Sequence, residues 1–288
     1  MSDAAWLKWR QGGIGGSDIG AVLGVSPFKT PFDVWTTKFG EPEQIDTPDT
    51  RRGIHLEDGI ARWYAQERGC SIYSAEHLEH RAEPWARCTP DREAIETRGS
   101  GQWLVSIKAP RRGHGWGEPG TEDVPLAYYL QCQWEMMIAA SLRMACAGRS
   151  EIVALIHGEL AIYPIAANAE VQQAALERAR AFWVEHVIAN VPPPLDAGET
   201  VGPWLARRYE SAPAIEAVEA TPEVSLLAEE WRELDGRIAG LEARREAVKN
   251  QVRDAIGMAS AARVQGPFGQ IGWKADKNGK RSLRARWR

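Results

Sequence analysis

Asp91, Ser106 and Lys108 are the residues of this chain whose types and spacing could do chemistry together. Asp91 ends "TPD", and Ser106 and Lys108 lie in "LVSIKAP", residues 104–110. On a strand, two residues that are two apart point to the same face. Ser106 and Lys108 would therefore look the same way, with Asp91 at a turn before them. Glu57, in "GIHLED", precedes all three. Hydrolysis of a phosphodiester needs divalent cations to neutralise the phosphate, an activated water and a stabilised leaving oxygen. Magnesium takes hard oxygen ligands, namely carboxylates and backbone carbonyls. A lysine beside it can orient the water and offset charge. Such a site would want a carboxylate at 106, where this chain has serine. Any one Asp or Lys taken alone is more often a solvated surface residue. The ordered set is what carries weight.

The elements that must position these residues follow from pattern and punctuation. "GGIGGSDIGAVLG" opens on a glycine turn, and Ser17 or Asp18 can cap a short helix that stops at Gly24. Thr30 and Pro31 start a second helix, which ends at Gly40. Residues 41–51 read as a polar loop, and 52–68 as a helix closed by Gly69. "SIYSAEHLEH", "WARCTPD", "EAIET" and "QWLVSIKAP" are short, partly alternating and separated by turn residues, as in a mixed or antiparallel sheet. "LAYYLQCQWEMMIAASLRMACA" is a long apolar helix, expected to pack on that sheet. A hairpin around Gly158 follows, then an amphipathic helix stopped by the prolines at 192–194. Residues 195–222 read as an irregular acidic connector. After it, Leu227, Trp231, Leu234, Ile238, Leu241, Val248 and Val252 take heptad-like spacing along one long helix, with Arg245 at the missing position. "VQGPFGQIGWKAD" reads as a small β-hairpin before a basic end.

Composition sets the frame. The 288 residues are 44% hydrophobic and 26% charged, which is ordinary for a soluble globular protein. No membrane-length apolar run and no signal-peptide apolar region stands in the sequence. The four cysteines are scattered without a CxxC pair, which implies a reducing cytoplasm. His77 and His80 form HxxH, but no nearby Cys or His pair completes a zinc site. Residues 274–288 hold seven Lys or Arg and one Asp. That leaves −10 on the other 273 residues, against −4 for the whole chain. An acidic body with a basic end can still bind nucleic acid, because binding follows local potential; a solubilising tail is the plainer account.

Competing motifs fail. "GVSPFKT" lacks the second glycine of a P-loop, and "GGSDIG" is not the G-x-S-x-G of a serine hydrolase. The early glycines are expected to let the backbone come close to a DNA end. From "WLKWRQGGIGGSDIG" through "RGIHLEDGIARWY", "TPD" and "SIKAP" to "YYLQCQWEM", roughly residues 6 to 190, the chain resembles the YqaJ-type viral recombinase or lambda-exonuclease family of PD-(D/E)xK nucleases.

The resemblance implies an α/β fold: a PD-(D/E)xK nuclease core with a central mixed β-sheet flanked by helices, plus a C-terminal helical and small β extension. The domains would be a nuclease domain at 1–194, the connector at 195–222 and the extension at 223–288. It implies a Mg²⁺- or Mn²⁺-dependent exonuclease acting on double-stranded DNA ends, most simply 5′→3′, in phage-type recombination in a bacterial host's cytoplasm. A ring-shaped trimer and a single-strand annealing protein as partner come with the family. Position by position, Arg10 and Ser17 fall in the segment like the family's 5′-phosphate pocket. Glu57 would be a metal ligand, Asp91 would bridge the metal site and the Ile107 carbonyl would be a backbone ligand. Lys108 would position the attacking water. Tyr128 and Gln131 would lie on a helix facing the site.

Ser106 departs from the family, which usually has Glu there. Three readings stand. Glu135, one helical turn after Gln131, takes over the missing ligand, as in PD…SxK enzymes of the wider superfamily. Alternatively, the serine disables the site and leaves a protein that grips DNA ends without cutting. Finally, a water bridges Ser106 to a weakly held metal.

Overall fold

Local chemistry starts and stops most of the helices. The computed structural model describes residues 3–39, 47–111, 113–209, 219–259, 261–263, 270–276 and 279–286. Helix α1 is Asp3–Gln11 and α2 is Gly16–Val22. The N-cap of α2 is Gly15, not Ser17 or Asp18; Asp18 sits a turn inside and accepts from the Gly15 amide at 3.3 Å. Gly24 then turns the chain at φ 74°. Helix α3, Pro31–Phe39, starts as its Thr-Pro pair implies. Thr30 Oγ1 accepts from the Asp33 amide at 3.2 Å, and Asp33 Oδ2 accepts from the Thr30 amide at 2.9 Å.

Helix α4, Pro48–Arg68, begins inside the stretch expected to be loop, because Thr47 caps it and Pro48 is pre-set for the first turn. Gly69 closes it in the left-handed conformation at φ 62°. The stop at Gly40, residues 41–46 of the expected loop and the 264–269 part of the expected hairpin lie outside the described residues.

The short runs are strands: β1 Cys70–Ser74, β2 Leu78–Glu79, β3 Arg87–Cys88, β4 Arg92–Glu96 and β5 Gln102–Lys108. Helix α5, Leu126–Ser141, leads to β6 Arg149–Ile156 and β7 Glu159–Ala166. The central sheet runs β1-β4-β5-β6-β7, with β5 and β6 parallel and its other pairs antiparallel. It is therefore mixed. The one parallel pair is joined through α5, as a parallel connection requires. His157 and Gly158, both at positive φ, make the two-residue turn of the β6–β7 hairpin.

Alternation on β5 splits the core in two. Leu104 packs on the α5 side, with Trp134, Met136 and Ile138. Trp103, Val105 and Ile107 pack on the α4 side, with Ile60, Ala61 and Tyr64. The α4 face is anchored by buried Glu151. Tyr64 donates to it at 2.5 Å, and Arg68 and Arg149 pair with it.

Helix α6, Ala169–Phe182, continues into a wide turn at Trp183–Ile188. Helix α7, Val201–Tyr209, stands where the irregular connector was expected. Trp204 explains it, packing edge-on against Phe32 and Trp35 at 5.3 and 5.8 Å. The chain divides into two compact units, Met1–Ser211 and Ala212–Arg288, and the division falls within the stretch 195–222 read as a connector.

The second unit holds α8, Pro222–Ile256, and a three-stranded sheet: β8 Ala261–Arg263, β9 Gln270–Ala275 and β10 Arg281–Arg286. The basic end is thus largely a strand rather than a loose tail. Arg281 ties it down, stacking on Trp273 at 4.8 Å and donating to the carbonyls of Gly257 and Trp273.

Candidate active site

Asp91 stands where the β4–β5 ladder stops. The last paired residues are Arg92 and Val105. One step further on, the Asp91 side chain replaces the missing backbone partner, and its Oδ2 accepts from the Ile107 amide at 2.6 Å. A strand residue directs its N–H and C=O toward the same neighbour. The Ile107 carbonyl therefore faces the Asp91 side, beyond the end of the ladder. Lys108 Nζ lies 3.8 Å from the same Asp91 oxygen and 5.3 Å from the centre of the Tyr128 ring.

Helix α5 brings a second carboxylate to this place. Glu135 is buried, and Gln131, one turn earlier, donates to its Oε1 at 2.9 Å. Gly16, at the start of α2, lies against the same pair: a Cβ there would stand 2.8 Å from Glu135 Oε1 and 3.3 Å from Gln131 Cγ. Gly13 likewise has no room for a side chain, since its Cβ would meet the Trp85 carbonyl at 2.4 Å. These glycines serve close packing within the protein, which accounts for them without an approaching DNA backbone.

Glu57 reaches the region from α4. Arg92, which sequence reasoning passed over, donates to Glu57 Oε1 and to the Asp91 carbonyl, both at 2.6 Å, and pairs with Asp58. The signal was present in its place directly after Asp91, but adjacency alone does not say which carboxylate an arginine will hold.

The electrostatics tie the groups together. Burial, then the charge of Asp91, pushes Glu135 up to about 8, against the pull of Gln131 and Lys108. Burial and Asp91 also raise Glu57, with Arg92 opposing. Burial alone would lower Lys108, but Asp91 and Glu135 outweigh it and keep it cationic. Asp91 is thus felt by Glu57, Glu135 and Lys108 alike.

Ser106 is buried beside this cluster. Its Oγ has no hydrogen-bond partner, and neither has Glu135 Oε2. Buried oxygens without a partner are costly. Together with two carboxylates that carry raised proton affinity, they fit a hard cation. Among the described residues, no three Asp, Glu, His or Cys side chains converge as a metal-holding group. That is compatible with magnesium, which is commonly held by one or two carboxylates and completed by water and substrate phosphate.

A second cluster lies at the start of the chain. Arg10 donates to Ser17 Oγ at 2.7 Å, so the structure brings together the two residues expected at a 5′-phosphate pocket. Between them and the core is buried Asp18. Arg10, Lys29 and Lys38 surround its carboxylate at 3.7, 3.5 and 3.3 Å. Burial would raise Asp18, but Lys38, Arg10 and Lys29 together hold it well below the usual carboxylate range. Lys38 is itself lowered by burial and by its two cationic neighbours. Three cations on one anion leave an excess of positive charge. Lys29 and Lys38 were not legible as site residues, because only folding brings them to Asp18.

Residues 5–141 match the YqaJ-like viral recombinase domain. The chain is 23% identical over 258 residues to the uncharacterized protein YqaJ of Bacillus subtilis (strain 168), an alignment spanning 88% of this chain and 78% of that one. The fold is similar to that of the alkaline exonuclease LHK-Exo from Laribacter hongkongensis, at TM-score 0.50 and 16% identity over 73% of this chain and 99% of the other. The same enzyme in complex with dAMP superposes at TM-score 0.51, with the same identity and coverage. Over residues 5–141, then, the chain is similar to the YqaJ-like viral recombinase domain.

Proposed function

We propose that this chain is a metal-dependent deoxyribonuclease that degrades duplex DNA from its ends, 5′→3′, in phage-type recombination, and that Glu135 replaces the carboxylate missing at 106. The observation that carries this reading is the buried Glu135 carboxylate, with one oxygen unpartnered, coupled to both Asp91 and Lys108. Asp91, Glu135 and the Ile107 carbonyl would hold Mg²⁺ or Mn²⁺, with Glu57 near enough to be polarised by Asp91. When bound, the cation supplies charge neutralisation at the phosphate and a more acidic water.

The chain's own residues do the rest. Lys108, kept cationic by its two acidic neighbours, orients the water and offsets charge at the scissile phosphate. Gln131 steers the Glu135 carboxylate through its hydrogen bond. Arg92 fixes Glu57 against the end of β4. Arg10 and Ser17, backed by Lys29 and Lys38, receive the 5′-phosphate, since a guanidinium and a hydroxyl make a charged, directional contact to phosphate oxygens. By analogy with the family, the working form is a trimer whose partner is a single-strand annealing protein.

The unpartnered Ser106 hydroxyl favours a second reading, a DNA-end-binding protein that no longer cuts. Digestion of linear 5′-phosphorylated duplex in Mg²⁺ separates the two. Under the first, the chain cuts DNA, Glu135→Ala stops it and Ser106→Glu adds little, because two carboxylates would repel each other at one position. Under the second, the chain is inert and Ser106→Glu restores cutting. In an active protein, Asp91→Ala and Lys108→Ala should each cost at least ~10²-fold in rate with melting temperature little changed. Near-normal digestion by either would move the active site elsewhere.

A further inference from the structure

Phe28 is 71% exposed, the most exposed large aromatic of its unit among the described residues. It is nonetheless held in place. Its amide donates to Ser26 Oγ at 3.2 Å, which braces the turn. Gly20 lets α2 cross close to the start of α5, where its Cβ would stand 3.2 Å from the Ala127 Cβ. That crossing sets the turn beside Tyr128. The Phe28 ring lies 6.4 Å from the Tyr128 ring, Tyr128 lies 5.5 Å from Trp116, and Trp116 lies 5.2 Å from buried Tyr163. Phe28 is the outer end of a row of rings rooted in the core.

Its neighbours say what it faces. The next residue, Lys29, turns to Asp18 and so belongs to the Arg10–Ser17 cluster. The next ring inward, Tyr128, carries Lys108 over its face. Phe28 is therefore linked to both groups, to the cationic cluster through Lys29 and to the lysine of the candidate cutting site through Tyr128. An exposed phenyl ring forgoes most of the burial that would stabilise the fold. A preorganised ring flanked by phosphate-binding groups suits a flat, apolar-faced ligand that itself carries phosphate, and a nucleobase in a DNA strand is such a ligand.

We propose that Phe28 is the platform on which a nucleobase at the DNA end stacks. It would hold the strand between the group that receives the phosphate and the group that cuts. This rests on reading the site as one for DNA ends, and it adds a positioning residue to it. The role is in binding and placement, with no bond made or broken at the ring.

The test is a 5′-phosphorylated duplex with 2-aminopurine at the 5′-terminal position, titrated with the full chain in Ca²⁺ so that it stays uncut. Stacking on Phe28 should quench the fluorophore on binding. Phe28→Ala should bind about tenfold more weakly and leave the fluorescence high, whereas Phe28→Trp should keep both affinity and quenching. Equal melting temperatures for the three proteins would show that each is folded. If Phe28→Ala binds and quenches like the parent, the stacking role is overturned while the DNA-end reading stands. If the parent itself does not bind the duplex, the DNA-end reading falls and the stacking role goes with it.

Discussion

The raised proton affinity of Glu135 has a measurable consequence. Burial and Asp91 raise it from 4.5 to about 8. Between those values the folded protein binds a proton that the unfolded chain releases, so stability falls as pH rises through the window. Metal-free melting temperatures should drop from pH 4.5 toward 8, and Glu135→Gln, which cannot ionise, should flatten that slope. A variant with the parent's slope would mean that the glutamate titrates normally. At the other cluster, Arg10 is the expected source of discrimination between 5′-phosphate and 5′-hydroxyl ends. Arg10→Ala should erase the preference, measured as the ratio of digestion rates on the two duplexes. A surviving preference would leave Arg10 as a surface cation held by Ser17 and stacked on Trp6.

The close contact of α2 with α5 sets the position of the helix that carries Gln131 and Glu135, and of the α2 glycines Gly16 makes the tighter approach to it. A Cβ 2.8 Å from the Glu135 carboxylate cannot be absorbed without moving that side chain or Gln131. Gly16→Ala should therefore destabilise the fold by roughly 1–3 kcal/mol, as overpacking does, and lower nuclease activity by more than this loss of folded protein explains. Differential scanning calorimetry together with digestion rates would check both parts. Unchanged activity in a folded variant would show that the Gln131–Glu135 pair tolerates displacement. Helix α7 shows the same dependence on tertiary packing. Thr200 donates to Asp33 from both its hydroxyl and its amide, at 2.6 and 3.1 Å, which docks the start of α7 on α3.

At the scale of the whole chain, the charge is divided between an acidic body and a basic end, most of which is strand. Removing residues 274–288 would take away β10 as well as charge, so substitution is the cleaner test. Lys274, Lys280 and Arg284 are exposed, whereas Arg281 is engaged with backbone carbonyls. Replacing those three by Gln should weaken duplex binding and flatten the plot of log affinity against log salt, by up to about 0.9 for each phosphate no longer neutralised. Dependence on Mg²⁺ should not change. An unaltered salt slope would assign this sheet to a protein partner or to solubility. The apolar stripe of α8 keeps its heptad-like spacing in the structure, with Leu227, Trp231 and Leu241 exposed and Arg245 in the gap beside Glu242. No helix among the described residues is long and apolar enough to cross a membrane.

The sequence by itself determined what depends on neighbours in the chain. Thr-Pro pairs capped α3 and α8, Gly69 ended α4, Gly158 turned the hairpin, and alternation put Ser106 and Lys108 on one face of β5. The ordered acids and lysine around "TPD" and "SIKAP" were therefore readable as a candidate site before any coordinates, and so was the mixed α/β architecture. Only the tertiary structure decided what depends on distant groups. It buried Glu135 against Gly16, gathered Lys29 and Lys38 around Asp18, set Arg92 on Glu57 and docked α7 through Trp204. The physical reason is range. Caps and strand faces are set by backbone dihedrals within a few residues, whereas proton affinity, ion pairing and docking depend on which groups share a low-dielectric space. That is decided only when segments far apart in the chain meet.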